Sequence, residues 1–413
     1  MKKILAIVLA AVMVLGMSSF AFADDSVSMK IAVWTSNESQ LELLGSFVQE
    51  FAEKKGISID VTFESIAYAD FTTKLLLELQ GAEAPDVYWV TETSAPAFIA
   101  SGNLAVLNDA MAEYDPADFA EGAMSLWKKG DDVYAIPFST SPFILLYNAD
   151  LFEQAGVKTP EEYIAEGNWT WETFREVSKQ IKDATGVWGY QTVDGAGYTT
   201  SVMQNLLPII RTYGGDAWDT DGNVMIDTEG AIEAVQLFHD MVYVDQSVVP
   251  PGDESSFYTG AAAMTLSQIS RVSNLDEVTW KWGMCTLPGN NPVIGQAAIG
   301  AFSGSKNGEL AAELAAYMTN KDCVARIAGI WPPARQSVLD SEEFLTSNSR
   351  ISPEQMKNAV AASIATGRVL PAHELYPQIS VEAQMAYDKL WNANADVAAV
   401  MHEVGDIYRS YIG

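Results

Sequence analysis

The chain is poor in the side chains that carry covalent and metal chemistry. It has two cysteines, Cys285 and Cys323, and three histidines, His239, His373 and His402. No two histidines have the spacing of a helical H-E-x-x-H site and the cysteines form no C-x-x-C pair, so no metal site is expected. Neither a G-x-x-x-x-G-K-[ST] phosphate loop nor a G-x-S-x-G nucleophile elbow occurs, which leaves nucleotide and acyl-transfer chemistry without support. No catalytic residue and no cofactor are assigned. Carboxylate pairs, the tools of a glycosidase, are unavoidable among 54 acidic residues and carry no weight alone. Basic charge is scarce as well: 24 Lys and Arg stand against 54 Asp and Glu, a net charge of −30. Nucleic acid and anionic membrane surfaces are poor partners for such a field, whereas a neutral or cationic ligand is easy to accept. After the N-terminus every apolar run is broken by charge, proline or glycine, so no membrane-embedded segment is expected.

The exception is at the start. Lys2 and Lys3, an apolar run from Ile4 to Met17 and Ala21-Phe22-Ala23 before Asp24 form a cleavable secretory signal, with residues 1–23 removed. No cysteine lies near the site to accept a lipid anchor. The destination is the periplasm or the extracellular space, an oxidising setting in which Cys285 and Cys323 either pair or stay as two buried thiols. The second is favoured, because a core of this size does not depend on one staple.

Beyond residue 24 the length fits two lobes. "KIAVW" (Lys30 to Trp34) reads as a strand, and a helix follows with Leu41, Leu44, Phe47, Val48 and Phe51 on one face, Asn37 as N-cap and Gly56 as its stop. "ISIDVTF" alternates as a second strand, a helix spans about Asp70 to Gln80, and "DVYWV" is a third strand. Alternating β and α elements predict a parallel sheet, whose ligands bind beyond the carboxyl ends of its strands. Thr35 to Glu38 and Thr91 to Thr93 occupy those ends. "DTDGN" invites a calcium-loop reading and fails it, with Val224 where glycine is needed and Gly230 where glutamate is needed. A β-turn is expected there.

The order of "PDVYWV", "SGNLAVLND", "VYAIPFSTSPFILLYNADLFEQAG" with "TWETF", "YGGDAWD", "FYTGAAAM" and "GIWPPARQSV" resembles that of the family 1 extracellular solute-binding proteins of ABC importers, the maltodextrin-binding-like, sugar-binding group. The resemblance spans essentially the whole chain after the signal. It implies an α/β, two-lobed periplasmic-binding-protein-like fold, each lobe a mainly parallel sheet flanked by helices, joined by a hinge with three crossings. The boundaries so implied are 24–138 and 288–335 for one lobe, 139–287 and 336–413 for the other. Two of the crossings coincide with strand ends that carry proline and small polar residues, where a change of φ/ψ disturbs no core; an ordinary loop is the alternative.

The implied function is capture of a sugar, a mono- or oligosaccharide, between the lobes by a monomer that delivers it to ABC permease subunits. Position selects the ligand-binding candidates. Trp34, Ser36, Asn37 and Glu38 follow strand one and Glu92 follows strand three; Tyr68 precedes the second helix, and Thr140 and Ser141 lie in the hinge. Tyr198 and Gln204 precede the "GG" turn and Trp218 follows it. After "GAAAM" the family often supplies a cleft aromatic, where this chain has Ser267-Gln268-Ile269-Ser270-Arg271, a departure that counts against a maltodextrin; Gln268 is a candidate there. Arg271 and Arg335 either grip hydroxyls or a carboxylate or form surface ion pairs, and Trp331, fixed by two prolines, is the expected aromatic platform, with a hydrophobic plug between the lobes as the alternative. The competing readings are the same fold with a polyamine, thiamine-like cation or peptide as cargo, and a secreted glycan-active enzyme, which needs two cleft carboxylates at catalytic separation.

Overall fold

A computed structural model describes residues 26–81, 84–119, 121–219 and 221–412 of the chain; the signal segment 1–23 lies outside the described residues. Strand β1 (Val27–Val33), helix α1 (Glu38–Lys55) and strand β2 (Ile59–Ser65) form the expected βαβ unit, with β1 and β2 parallel from Val27↔Ile59 to Val33↔Ser65. Local signals set its limits: the Asn37 side chain accepts the Gln40 N–H, and Gly56 closes α1 at φ 68°, a conformation that glycine adopts without penalty. Helix α2 (Phe71–Glu78) leads to β3 (Val87–Thr91), parallel to β1 and buried along its whole length.

Strand β4 (Ile136–Pro142) then joins this first sheet through β8 (Val293–Ala301), which runs antiparallel to both β3 and β4 and parallel to the short β9 (Arg368–Val369). The second sheet centres on β5 (Ile144–Asn148), with β6 (Met264–Ser267) and β7 (Trp282–Cys285) antiparallel on either side. The fold is α/β and two-lobed. A mainly parallel sheet is present in the first lobe among β1, β2 and β3 only. In the second the named strands pair antiparallel, and parallel contacts are single bridges such as Trp188↔Ala262 and Gln191↔Thr265. The long helical excursion after β5 brings the chain into β6 from the opposite end, which gives an antiparallel neighbour instead of a βαβ crossover.

The apolar run "ILLY" has a simple cause. Successive side chains of a strand point to opposite faces. Leu145 and Tyr147 pack with Phe152, Phe174 and Leu206, while Ile144 and Leu146 pack with Phe257, Val338 and Phe344, so β5 has no solvated face. The first lobe has its own core around Phe47, Phe51, Tyr88, Trp89 and Phe138.

Between β4 in one sheet and β5 in the other stands only Phe143, so the first change of sheet comes there. The second lies between Cys285 and Val293. In the third segment Trp331 and Ala334 belong to the first core and Val338 to the cluster around Ile144, and the Thr140 N–H donates to the Pro332 carbonyl at 2.7 Å. The cysteines sit in separate cores, free and buried; burial pushes the Cys323 thiol up to about 12. At Trp218 to Val224 the chain makes the expected turn, Asp219 accepting the N–H groups of Asp221 and Asn223.

Candidate functional site

The two sheets face each other across a cleft of about 590 Å³. Its first-lobe wall is built from strand ends. β1 runs into Trp34, Thr35 and Ser36, and the helix that must follow uses Asn37 as its cap, so this loop is held against the sheet. β3 ends at Thr91 and Glu92, whose backbone N–H donates to the Gln296 carbonyl of β8 at 3.1 Å. Ligand groups are thus offered at the carboxyl ends of β1 and β3, as the topology requires. The connecting strands add Ser139, Ser141, Gln296 and Ala297 as the floor. The second-lobe wall is Ser267 and Gln268 at the end of β6 and the turn Ile269–Leu275 behind it, which carries Ser270, Arg271 and Asn274. Ser201 and Gln204 reach the cleft from the start of helix α3 (Val202–Thr212).

Of the residues selected from sequence, the cleft brings together Trp34, Ser36, Asn37, Tyr68 and Glu92 on one side, Gln204, Gln268 and Arg271 on the other, with Ser141 and Trp331 between. The Gln268 amide also donates to the Ser141 carbonyl at 2.9 Å, joining the second wall to β4. Trp34 stands edge to face with Tyr68, ring centroids 5.7 Å apart, and with Trp89 behind it at 4.6 Å. Tyr68 is 54% exposed, so a broad aromatic face is open to a ligand. Trp331, the expected platform, is only 7% exposed and packs on Trp89 and Phe138. It closes the back of the cleft, and most of its ring belongs to the first core.

Five candidates lie elsewhere. Glu38 is an exposed first-turn residue of α1, where a carboxylate favours the helix N-terminus. Thr140 alternates away from its cleft neighbours Ser139 and Ser141 on β4, as period-two geometry demands. Tyr198 is buried against Trp391 and Phe238 and donates its hydroxyl to the Val249 carbonyl at 2.7 Å. Trp218 packs edge to face on Tyr408, 5.3 Å between centroids. Arg335, 1% exposed, is bound to Tyr114, Asp115, Asp118 and Thr319.

Sequence reasoning passed over the hydroxyls of Ser139, Ser201, Ser270 and Ser273 and the amides of Gln40, Asn274 and Gln296. A signal existed for two of these groups. "SQISRVSN" is serine-rich directly after a strand, and Gln296 is a lone amide inside the apolar β8; its Oε1 accepts the Trp127 indole N–H at 3.1 Å. Tyr376, which opens the distant helix α4 (Tyr376–Tyr387), is not among the lining residues, and its phenol couples electrostatically to Glu92.

Among the described residues lining the cleft, Glu92 is the one carboxylate and Arg271 the one cation. Glu92 is 2% exposed, and burial pushes its carboxyl up to about 8, with the backbone N–H groups of Glu92 and Gln296 drawing it back part of the way. No basic group figures among the effects on it. The remaining polar surface is neutral hydroxyl and amide, flanked by aromatic rings. Such a lining offers donors, acceptors and apolar faces at fixed positions. Among the described residues no cluster of three or more His, Cys, Asp and Glu is placed to hold a metal ion, and no helix is long and apolar enough to cross a membrane.

Two lobes joined by hinge-like strands around a polar, aromatic-flanked cleft define a solute-binding fold. The chain belongs to the bacterial extracellular solute-binding protein family, whose profile matches residues 46–350. It is similar to the arabinooligosaccharide-binding protein of Halalkalibacterium halodurans, 26% identical over 54% of this chain and 48% of that protein, so the match spans about half of that relative's length. Its fold is that of an ABC substrate-binding protein of Listeria monocytogenes solved in complex with cycloalternan, with a TM-score of 0.81 at 22% identity over 94% of this chain and 99% of that one. UgpB of Mycobacterium tuberculosis, solved in complex with glycerophosphocholine, superposes with a TM-score of 0.78 at 18% identity over 94% and 98% of the two chains.

Proposed function

We propose that the protein binds a sugar, a mono- or oligosaccharide, in the cleft and delivers it to the permease of an ABC importer. The observation that carries this reading is the lining: hydroxyls and amides from both walls converge beside Trp34 and Tyr68, with Glu92 the carboxylate and Arg271 the guanidinium among the described residues. Sugars present alternating hydroxyls and apolar faces, which such groups match by hydrogen bonds and ring packing. Each neutral hydrogen bond contributes about 0.5–1.5 kcal/mol net, so several must converge, as they do here. The arabinooligosaccharide-binding relative supports the choice of cargo. A glycan-active enzyme would need two cleft carboxylates at catalytic separation; among the described residues Glu92 is the carboxylate in the lining.

In this reading residues 24–138 and 288–335 form one lobe and 139–287 and 336–413 the other. Ligand touching both favours a closed form by its differential contacts, and the permease engages that form. Trp34, Ser36, Asn37, Tyr68, Glu92, Ser141, Gln204, Gln268, Arg271 and Trp331 are the ligand-binding residues. The protein acts as a monomer outside the cytoplasm after removal of residues 1–23, and the secreted chain is expected to begin at Asp24 by N-terminal sequencing.

The direct test is thermal-shift titration against arabino-, galacto- and malto-oligosaccharides, lactose, spermidine and thiamine. A saturable rise in melting temperature with one sugar class, without product formation, is the expected result. A response to spermidine or thiamine alone would keep the fold and replace the cargo.

A further inference from the structure

The chemistry of Glu92 narrows what the cleft accepts. We infer that Glu92 engages its ligand as the neutral acid, donating one hydrogen bond to a sugar oxygen and accepting another from a sugar hydroxyl. This rests on the sugar reading and specifies the ligand further: the group seated at Glu92 is uncharged, and an ammonium is not the cargo's anchor.

The argument is geometric first. Glu92 directly follows β3 with its backbone pinned to β8 by the bond to the Gln296 carbonyl, so its side chain starts from the sheet wall of the cleft. It is 2% exposed yet lines the cavity, so what little of it is open faces the ligand space. A carboxylate in such a place is a buried charge offset in part by the backbone N–H groups of Glu92 and Gln296, which leaves it costly, whereas a carboxylic acid is only a polar group that needs a donor and an acceptor opposite it. Sugars with neighbouring hydroxyls supply both.

Among the described residues no basic group figures among the effects on Glu92. From the turn before α2 comes Tyr68 and from the start of α4 comes Tyr376, two phenols that couple electrostatically to Glu92. From β8 come only the amide of Gln296 and the small residues beside it. Arg271 stands on the second-lobe wall of the cleft, and among the described residues no histidine lines it. With the carboxyl pushed up to about 8, the acid outnumbers the carboxylate by about ten to one at pH 7. Hence Glu92 is the group whose proton the cleft gains or loses between pH 6 and pH 9.

The test is calorimetric titration of arabinotriose, galactobiose, maltotriose, lactose and glucosamine at pH 6, 7 and 9, with the wild-type protein and with Glu92→Gln. Glutamine keeps one donor and one acceptor at the same place and has no proton to lose. For a neutral sugar the wild-type affinity is expected to fall about tenfold from pH 7 to pH 9. Glu92→Gln is expected to show no slope between pH 6 and pH 9. Binding of a neutral sugar with a flat or rising wild-type profile, or a wild-type-like slope retained in Glu92→Gln, overturns the role of Glu92 and leaves the sugar reading intact. Preference for glucosamine that strengthens with pH and disappears in Glu92→Gln overturns it in favour of an ammonium partner. Silence from every sugar at every pH removes the sugar reading and this inference with it.

Discussion

Replacing Glu92 by glutamine is expected to stabilise the empty protein at pH 8 by about 4 kcal/mol and to leave its stability at pH 4 unchanged. The sign follows from proton binding. Burial holds the folded-state carboxyl up at about 8, against an ordinary 4.5, so the folded protein holds this proton more tightly than the unfolded chain. The wild-type stability contributed by the neutral acid is complete below 4.5 and is lost as the pH rises towards 8, above which the difference levels off. Glutamine does not titrate, and the variant escapes the loss. Urea unfolding of both proteins at pH 4, 6 and 8 measures it. Parallel pH dependences would mean that Glu92 titrates normally and that the cleft tolerates a carboxylate. A stabilising change at a cleft position is what a site kept for binding predicts, because the acid that suits the ligand strains the empty protein.

How much of this could be read from the chain alone depended on the range of the interactions involved. The βαβ start was legible because its signals are local: Asn37 caps the helix it precedes, Gly56 ends it, and Ile59 and Val61 belong to the next strand. The first-wall residues were legible for a topological reason, since parallel β1, β2 and β3 put their loop ends on one side whatever the details. The antiparallel second sheet was not, because nothing in "MTLS" or "WGMC" says from which end each enters beside β5. Tyr198 and Trp218 had the composition of ligand contacts and became packing residues through partners about two hundred positions away, Trp391 and Tyr408.

Arg335 shows the same limit, and with it comes a loss of stability. In sequence it is a cation beside "WPP", well placed to grip a ligand. In the folded chain its guanidinium donates to the carbonyls of Thr319 at 2.6 Å, Asp115 at 3.1 Å and Tyr114 at 2.7 Å, meets Asp118 at 3.3 Å, and lies 4.3 Å from the centre of the Phe119 ring. Burial alone would lower its pKa and does so, while the Asp118 charge resists. Asp118 is pushed up by burial but held low overall by bonds from Ser337 and Arg335. Arg335 thereby ties the third connection between the sheets to the segment Tyr114–Asp118 of the first lobe. Arg335→Ala removes every one of these bonds and leaves three carbonyls and a carboxylate poorly matched, so a loss of about 3–5 kcal/mol in unfolding free energy is expected. Arg335→Lys is expected to recover little, since an ammonium cannot reproduce a planar fork aimed at several acceptors and stacked on a ring. At temperatures where each variant remains folded, affinity for the cleft ligand should stay within about threefold of wild type. A variant that keeps its melting temperature and loses binding would return Arg335 to the ligand site, because a clamp buried away from the cleft can only weaken binding by first loosening the fold.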